Sequence, residues 1–267
     1  ADVMRRKGVF NAATIHSSIY HYDPEKETFK KRPQIAIASE YSYFAIDEGS
    51  TVNRVLWGDV LSFGIPVLVI GDHGQLEPVG GNPNLMASTD IRLEEIFRQK
   101  EGSPIVSFAH SVRCGCPIEY GDSPGLRVAP SDVFWKYAED PEFQLACGFN
   151  KTRASANNVR RNAIGMKGLI SEGERLMCLH NNRSAGIYNG MMLRVDEVGE
   201  QKKDFIRCRQ GKQWFKIYTE TLGGRKKPSA KECHQLSKRK IVICDYGYCA
   251  TVHKLIGSEF DKVAVYD

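Results

Sequence analysis

No stretch of this 267-residue chain stays apolar for the roughly 18–20 residues that a membrane-spanning helix needs. Nor does its start carry the basic-then-apolar pattern of a secretory signal. Neither sign of charge dominates. Lys and Arg number 37 against 32 Asp and Glu, a net charge of +5 that is compatible with a polyanionic partner without establishing one. The eight cysteines contain no paired C-x-x-C spacing. The close pairs are Cys114/Cys116 and Cys244/Cys249, which argues against a zinc site and for reduced, buried thiols in a cytosolic protein. A phosphate cradle of the form G-x-x-x-x-G-K-[ST] is also missing: the one Gly-Lys dipeptide is Gly211-Lys212, followed by Gln213. What remains is ordinary globular material, 42% hydrophobic and 26% charged, enough for a real core and long enough for two domains and a small third.

Two apolar runs organise the chain. Phe44-Ala45-Ile46 ends abruptly in Asp47 and Glu48, and Val67-Leu68-Val69-Ile70 ends in Gly71-Asp72, with Gln75 close behind. Runs of this kind suit strands buried on both faces of a parallel sheet. The spacer between them is long enough for a crossover helix, expected over residues 53–64. Polar residues just past such strands fall on the carboxyl edge, where open α/β sheets bind ligands. In a nucleotide site one carboxylate holds Mg²⁺, usually through water, and its neighbour polarises the attacking water.

The order D-E-G-S, then G-D-H-G-Q-L-E-P-V, resembles the Walker B and third motifs of superfamily 1 helicases, D-E-x-S and G-D-x-x-Q-L-x-P-V. Thr14-Ile15-His16-Ser17, after Arg5-Arg6-Lys7-Gly8, narrows the resemblance to RecD-like and Dda-like helicases. Near the other end, Asp245 to Lys254 and Gly257-Ser258-Glu259-Phe260-Asp261 resemble the family's motif V. One residue departs from it: Ile256 stands where the family has glutamine, which puts the coupling between nucleotide and DNA in doubt.

The resemblance implies an α/β fold of two RecA-like P-loop NTPase domains, the first one truncated, with a small SH3-like β-barrel inserted in the second. Residues 1–97 would form the first domain, with a hairpin insertion over 20–34. Residues 98–174 and 240–267 would form the second, and 175–239 the barrel. Asp47 would hold Mg²⁺, Glu48 would activate water, and Gln75 and Arg98 would sense the γ-phosphate, these four being the catalytic set. Asp72, Gly257 and Glu259 would complete the nucleotide site. Thr14, His16, Thr152, Arg153, Asn189, Thr251, His253 and Lys254 would line a single DNA strand. The hairpin would act as a wedge at the duplex fork or be a solvated surface hairpin. The exposed loop Arg225-Lys226-Lys227-Pro228 would touch nucleic acid or simply be solvated.

Local patterns add detail. Gly8 reads as a helix stop, and Ser103-Pro104 as a helix start. Leu93 to Gln99 reads as a helix carrying Arg98, and residues 115–131 as loop. Phe143 to Cys147 reads as a strand followed by a helix through Ile164. Short strands at Leu176–Leu179, Met191–Val195, Phe205–Cys208 and Trp214–Tyr218, separated by turns, suggest the barrel.

The family's phosphate cradle would lie upstream of Ala1 and its last motif beyond Asp267, so the chain reads as the middle of a helicase. The expected parent is an ATP-dependent, Mg²⁺-dependent DNA helicase that moves 5′-to-3′ on single-stranded DNA and unwinds a duplex fork. It would work in the cytoplasm of a bacterial or phage-infected cell, as a monomer or within a repair or replication complex, with no membrane partner. The alternatives are an RNA-directed superfamily 1 helicase and an ATP-independent nucleic-acid-binding fragment.

Overall fold

The computed structural model describes residues 4–5, 7–23, 28–75, 78, 80–81, 83, 85–93 and 102–267, the side chain of residue 183 excepted. The chain divides into two compact units, Ala1–Val128 and Ala129–Asp267. The domain boundary expected at 97/98 lies outside the described residues, as do the hairpin turn at 24–27 and all but Leu93 of the helix expected over 93–99. Among the described residues, no helix is long and apolar enough to cross a membrane.

In the first unit, helix α1 (Ile15–Ile19) leads into an antiparallel hairpin of β1 (Tyr20–Asp23) and β2 (Thr28–Lys31). Helix α2 (Gln34–Glu40) returns the chain to β3 (Phe44–Ile46), which pairs in parallel with β4 (Val67–Val69) through the crossover helix α3 (Arg54–Leu61). Asn53 starts α3 by accepting a hydrogen bond from the Leu56 N–H at 2.9 Å. Ile19, Ile37, Ile46, Val52, Leu56, Val60 and Phe63 make the core. The base of the hairpin is fastened to α3. The Tyr20 hydroxyl donates to Asp59, and burial, then that bond, pushes its pKa up to about 12. Lys31 also reaches Asp59, at 3.3 Å. Helix α4 (Pro104–Arg113) begins with Ser103 in the cap position and Pro104 in its first turn, as expected. A small hairpin, β5 (Gly121–Ser123) and β6 (Leu126–Val128), occupies the loop-rich stretch.

The expectation of two-sided burial for β3 and β4 needs correction. Ala45, Leu68 and Ile70 are exposed, because among the described residues these two strands pair only with each other, and core packs against one face.

In the second unit, helix α5 (Val133–Glu139) precedes β7 (Gln144–Cys147), which is buried along its whole length between two parallel neighbours, β15 (Cys249–Thr251) and β16 (Val263–Tyr266). Helix α6 (Asn150–Ala163) follows β7. Strands β8 (Arg175–Cys178) and β9 (Met192–Arg194) form an antiparallel sheet with β14 (Cys244–Tyr246). Strands β10 (Glu197–Gln201), β11 (Phe205–Gln210) and β12 (Gln213–Tyr218) form an antiparallel meander. Helix α7 (Ala230–Lys238) then crosses over, so that β13 (Ile241–Val242) joins β12 in parallel.

That crossover explains why no closed barrel is found among the described residues. A meander closes when its last strand turns back on its first. Here β13 extends the sheet beyond β12, and the chain leaves at once to pair β14 with β8. The short strands stand where the turn spacing put them; the closure does not occur. A large core still joins both sheets, including Leu176, Ile187, Leu193, Ile206, Phe215, Ile217 and Val242.

Candidate functional site

The acidic pair lies immediately past β3, and the Gly71–Gln75 loop immediately past β4, on the carboxyl edge of the parallel pair. The two loops interlock. The Gly49 N–H donates to the Ile70 carbonyl at 2.8 Å, and the Ser50 hydroxyl donates to Oε1 of the Gln75 side chain at 3.4 Å. Glycine is required at the crossing: a Cβ on Gly49 would overlap the Val69 side chain, and one on Gly71 would stand 2.9 Å from the Met86 sulfur and 3.1 Å from the Gly49 nitrogen. Gly49→Ala is therefore expected to destabilise the first unit by about 1–3 kcal/mol, the usual cost of overpacking. Urea unfolding followed by the fluorescence of Trp57, on α3, reports it; an unchanged midpoint would mean that the loops do not meet this way.

Glu48 holds a left-handed backbone, φ 56° and ψ 44°, which is uncommon for a residue with a side chain. Its carbonyl accepts the Thr51 hydroxyl at 2.8 Å, and its N–H donates to Asp47 Oδ1 at 3.0 Å. Backbone strain of this sort concentrates where a side chain must be aimed. Asp47 is exposed and Glu48 half-buried. Asp72 accepts the Gly74 N–H at 2.9 Å and pairs with the Arg113 guanidinium, from the last turn of α4. Arg113 went unnoticed in the sequence, where an arginine on a helix reads as surface charge. Arg98, the arginine assigned to the γ-phosphate, lies outside the described residues.

Of the residues expected along DNA, Thr14 and His16 stand at the start of α1, both exposed. Thr14 caps that helix, accepting the Ser17 N–H at 3.3 Å. In the second unit the carboxyl edge of the parallel sheet gathers several more. Thr251 ends β15 opposite Cys147, the last residue of β7, and caps the short helix α8 (Val252–Leu255), which carries exposed His253 and half-buried Lys254. Thr152 sits in the first turn of α6, just past β7. Lys254 donates to the Asn189 side chain at 2.9 Å, so two of the expected residues meet directly. Burial, and then the charge of Arg153, lowers the Lys254 pKa.

Arg153 requires a correction. It points inward, donating to Asp245 at 2.5 Å and to Asn150 at 3.3 Å, and its side chain is about nine-tenths buried. Asp245 also accepts the N–H groups of Gly223, at 2.6 Å, and Tyr246, at 2.8 Å. A buried carboxylate with three donors needs the guanidinium, and the guanidinium is thereby withdrawn from solvent.

Glu259 falls elsewhere. Together with Gln144, at the start of β7, Arg175, at the start of β8, and Lys262, just before β16, it lines a cavity of about 250 Å³ at the amino end of the parallel strands. Gly257, with φ 79°, turns the chain from α8 towards this side, and Ile256 just before it is half-buried. Glu259 thus lies towards the amino end of the parallel strands, whereas Thr251 ends one of them.

The first unit thus carries an acidic pair and a Gly-Asp loop on one parallel edge, and the second has a parallel sheet with helix starts along its carboxyl edge. Solved structures similar to this chain include Pif1 helicases. Pif1 helicases studied for DNA unwinding at forked duplex DNA share its fold at a TM-score of 0.56 and 17% identity, over 95% of this chain and 71% of theirs. Pif1 from Bacteroides, in complex with ADP-AlF3 and single-stranded DNA, matches at 0.56 and 16%, over 95% and 72%. Pif1 from Candida albicans matches at 0.55 and 15%, over 95% and 74%. No protein-family model matches the chain. Its fold is thus similar to that of these Pif1 helicases.

Proposed function

We propose that the chain is the larger part of the motor core of a RecD-like or Dda-like superfamily 1 DNA helicase, one that couples ATP hydrolysis to 5′-to-3′ movement on single-stranded DNA and to unwinding of duplex ahead. The observation that carries the reading is the interlocked pair of loops, Asp47-Glu48-Gly49-Ser50 and Gly71 to Gln75, on the carboxyl edge of a parallel sheet. The complex of Bacteroides Pif1 with ADP-AlF3 and single-stranded DNA supports assigning both ligands to this chain.

Mg²⁺ fits the acidic loop. Asp47 is an exposed carboxylate with one oxygen accepting its neighbour's N–H, and hard oxygen donors of this kind hold Mg²⁺, usually with several waters retained. When bound, the ion would neutralise phosphate charge. Glu48, aimed by its strained backbone, would take the proton of the attacking water. Gln75 and Arg98 would meet the γ-phosphate, Asp72 would brace the loop through Arg113, and Gly257 and Glu259 would approach the ribose. The hairpin of β1 and β2 would be the fork wedge: Phe29 on β2 is 61% exposed and stacks edge-on against Tyr22 of β1, with Lys30 next to it. The strands over 175–239 would correspond to the SH3-like insertion, presenting Asn189 to DNA.

Thr152, Thr251, His253, Lys254 and Asn189 would contact phosphates, together with Thr14 and His16 in the first unit. Phosphate contacts position a strand without reading its bases, so binding should tolerate any sequence and weaken with salt. Replacing Thr251 and His253 together by Ala should weaken single-stranded DNA binding by about 1–3 kcal/mol, as two partly charge-assisted hydrogen bonds are lost. Fluorescence anisotropy with a mixed-sequence DNA oligomer, at low and moderate salt, measures this. Parental affinity in the double variant would remove these residues from the DNA site, and a preference for an RNA oligomer of the same sequence would favour an RNA-directed helicase.

A further inference from the structure

Six of the eight cysteines are buried, but Cys114 and Cys116 are exposed, contrary to the expectation of buried thiols throughout. They follow α4 directly, and the turn there has a defined shape. Cys114 donates its N–H to the His110 carbonyl at 2.9 Å, Gly115 donates to Val112 at 3.0 Å, and Cys116 reaches back to Ser111 at 3.0 Å. Gly115 adopts φ 73° to allow this, so the chain folds back on the helix end with a glycine hinge between two thiols. The Cys114 sulfur lies 3.6 Å from Nε2 of His110, itself exposed. An imidazole at that distance can accept the thiol proton or, once protonated, stabilise the thiolate, which is the reactive form.

We propose that Cys114 and Cys116 are a peroxide-reactive dithiol, with Cys114 as the attacking thiol, His110 as its activating base and Cys116 as the resolving thiol. The chemistry closes without a further reagent. The Cys114 thiolate attacks one oxygen of hydrogen peroxide; an S–O bond forms, the O–O bond breaks, and the leaving oxygen takes up a proton to depart as water. Cys116 then attacks the sulfenic acid; an S–S bond forms, the S–O bond breaks, and a second water leaves. Two thiols are oxidised by two electrons in all, and one hydrogen peroxide is reduced to two waters. Residues two apart can meet the Cα separation of a disulfide, and the glycine between them supplies the backbone freedom.

The buried cysteines provide an internal control. Burial pushes the Cys208 thiol up to about 12 and raises that of Cys233. The two facing pairs, Cys147 with Cys249 at 3.7 Å and Cys178 with Cys244 at 3.6 Å, are closed off inside the second unit. Exposure and a neighbouring base coincide at Cys114.

The test treats the folded chain with hydrogen peroxide, blocks the remaining thiols, and digests with trypsin. Cleavage after Arg113 and Arg127 places both cysteines on one peptide, Cys114 to Arg127. That peptide should become lighter by two hydrogens and resist alkylation, while peptides with buried cysteines stay reduced. Cys116→Ser should stop at the sulfenic acid, trapped at Cys114 by a 1,3-dione. His110→Gln, a change at an exposed position, should slow the oxidation by ~5-fold or more, because the imidazole beside the attacking sulfur is gone. Oxidation of the buried cysteines at the same rate, a linkage between chains in place of the internal one, or an unchanged rate in His110→Gln would each overturn the assignment.

Discussion

Glu174→Ala is expected to destabilise the second unit by about 3–5 kcal/mol, the cost of breaking a buried ion pair from one side. Glu174 is 0% exposed. Both of its oxygens accept from Arg161, each at 3.0 Å, and it also accepts the Tyr248 hydroxyl at 3.0 Å. Burial works against the Arg161 charge, and the hydrogen bonds and charge of Glu174 overcome it, holding the Arg161 pKa above its ordinary value. The same burial, and then Glu174, pushes the Tyr248 hydroxyl up to about 12. Without the carboxylate, Arg161 would remain as an unpaired cation stacked 4.1 Å over the Tyr246 ring. Glu174→Gln keeps an acceptor and the volume but not the charge, and should fall between parent and Ala. Denaturation followed by tryptophan fluorescence is the measurement, since Trp135 and Trp214 both lie in this unit. A loss under about 1 kcal/mol, the range of surface pairs, would mean that the pair is solvated.

How much of this was legible beforehand depended on which residues carried the message. Apolar runs announce strands, so β3, β4, β7 and the short strands after Glu174 could be placed from the sequence, and polar residues at the strand ends marked the candidate site. Helix α6 was legible as a helix but not as a core element. Its sequence is mostly polar, yet Arg153, Asn157, Arg160 and Arg161 are buried. Their spacing of four, three and one residues is the period of an inward helix face, written in polar residues. Nothing in a sequence says that Arg160 will spend its guanidinium on the carbonyls of Tyr137, Ala138 and Phe143, or that Asn157 will bond both Tyr248 and Cys249. Those partners lie far away along the chain. The left-handed Glu48 was invisible for a related reason: its backbone is set by the crossing of two loops at Gly49 and Gly71, a tertiary event. Closure of the barrel was overestimated because turn spacing counts strands and cannot say which neighbour the last one chooses.

Replacing Arg153 by Met is expected to cost the second unit about 3–5 kcal/mol while leaving DNA affinity at neutral pH close to that of the parent. The first half follows from Asp245, which is 0% exposed and would keep only the N–H groups of Gly223 and Tyr246 as partners. Asp245→Ala should cost at least as much, since it strands the guanidinium and frees both of those N–H groups. The second half follows from direction: Arg153 faces Asp245 and not the solvent, so its loss removes no phosphate contact. It does change Lys254. A lowered lysine pKa means that the ammonium is present at low pH and lost early as pH rises, and Arg153 is the second of the two main causes of that lowering, after burial. Removing the Arg153 charge lets the Lys254 pKa climb back towards its ordinary value. Binding that depends on the Lys254 cation should therefore persist to higher pH in Arg153→Met than in the parent. Anisotropy titrations with a DNA oligomer across the alkaline range, at a temperature where both proteins are folded, separate the outcomes. A uniform loss of affinity at every pH would return Arg153 to the DNA surface, and an alkaline limit moving downward would show that Lys254 answers to something other than the charge beside it.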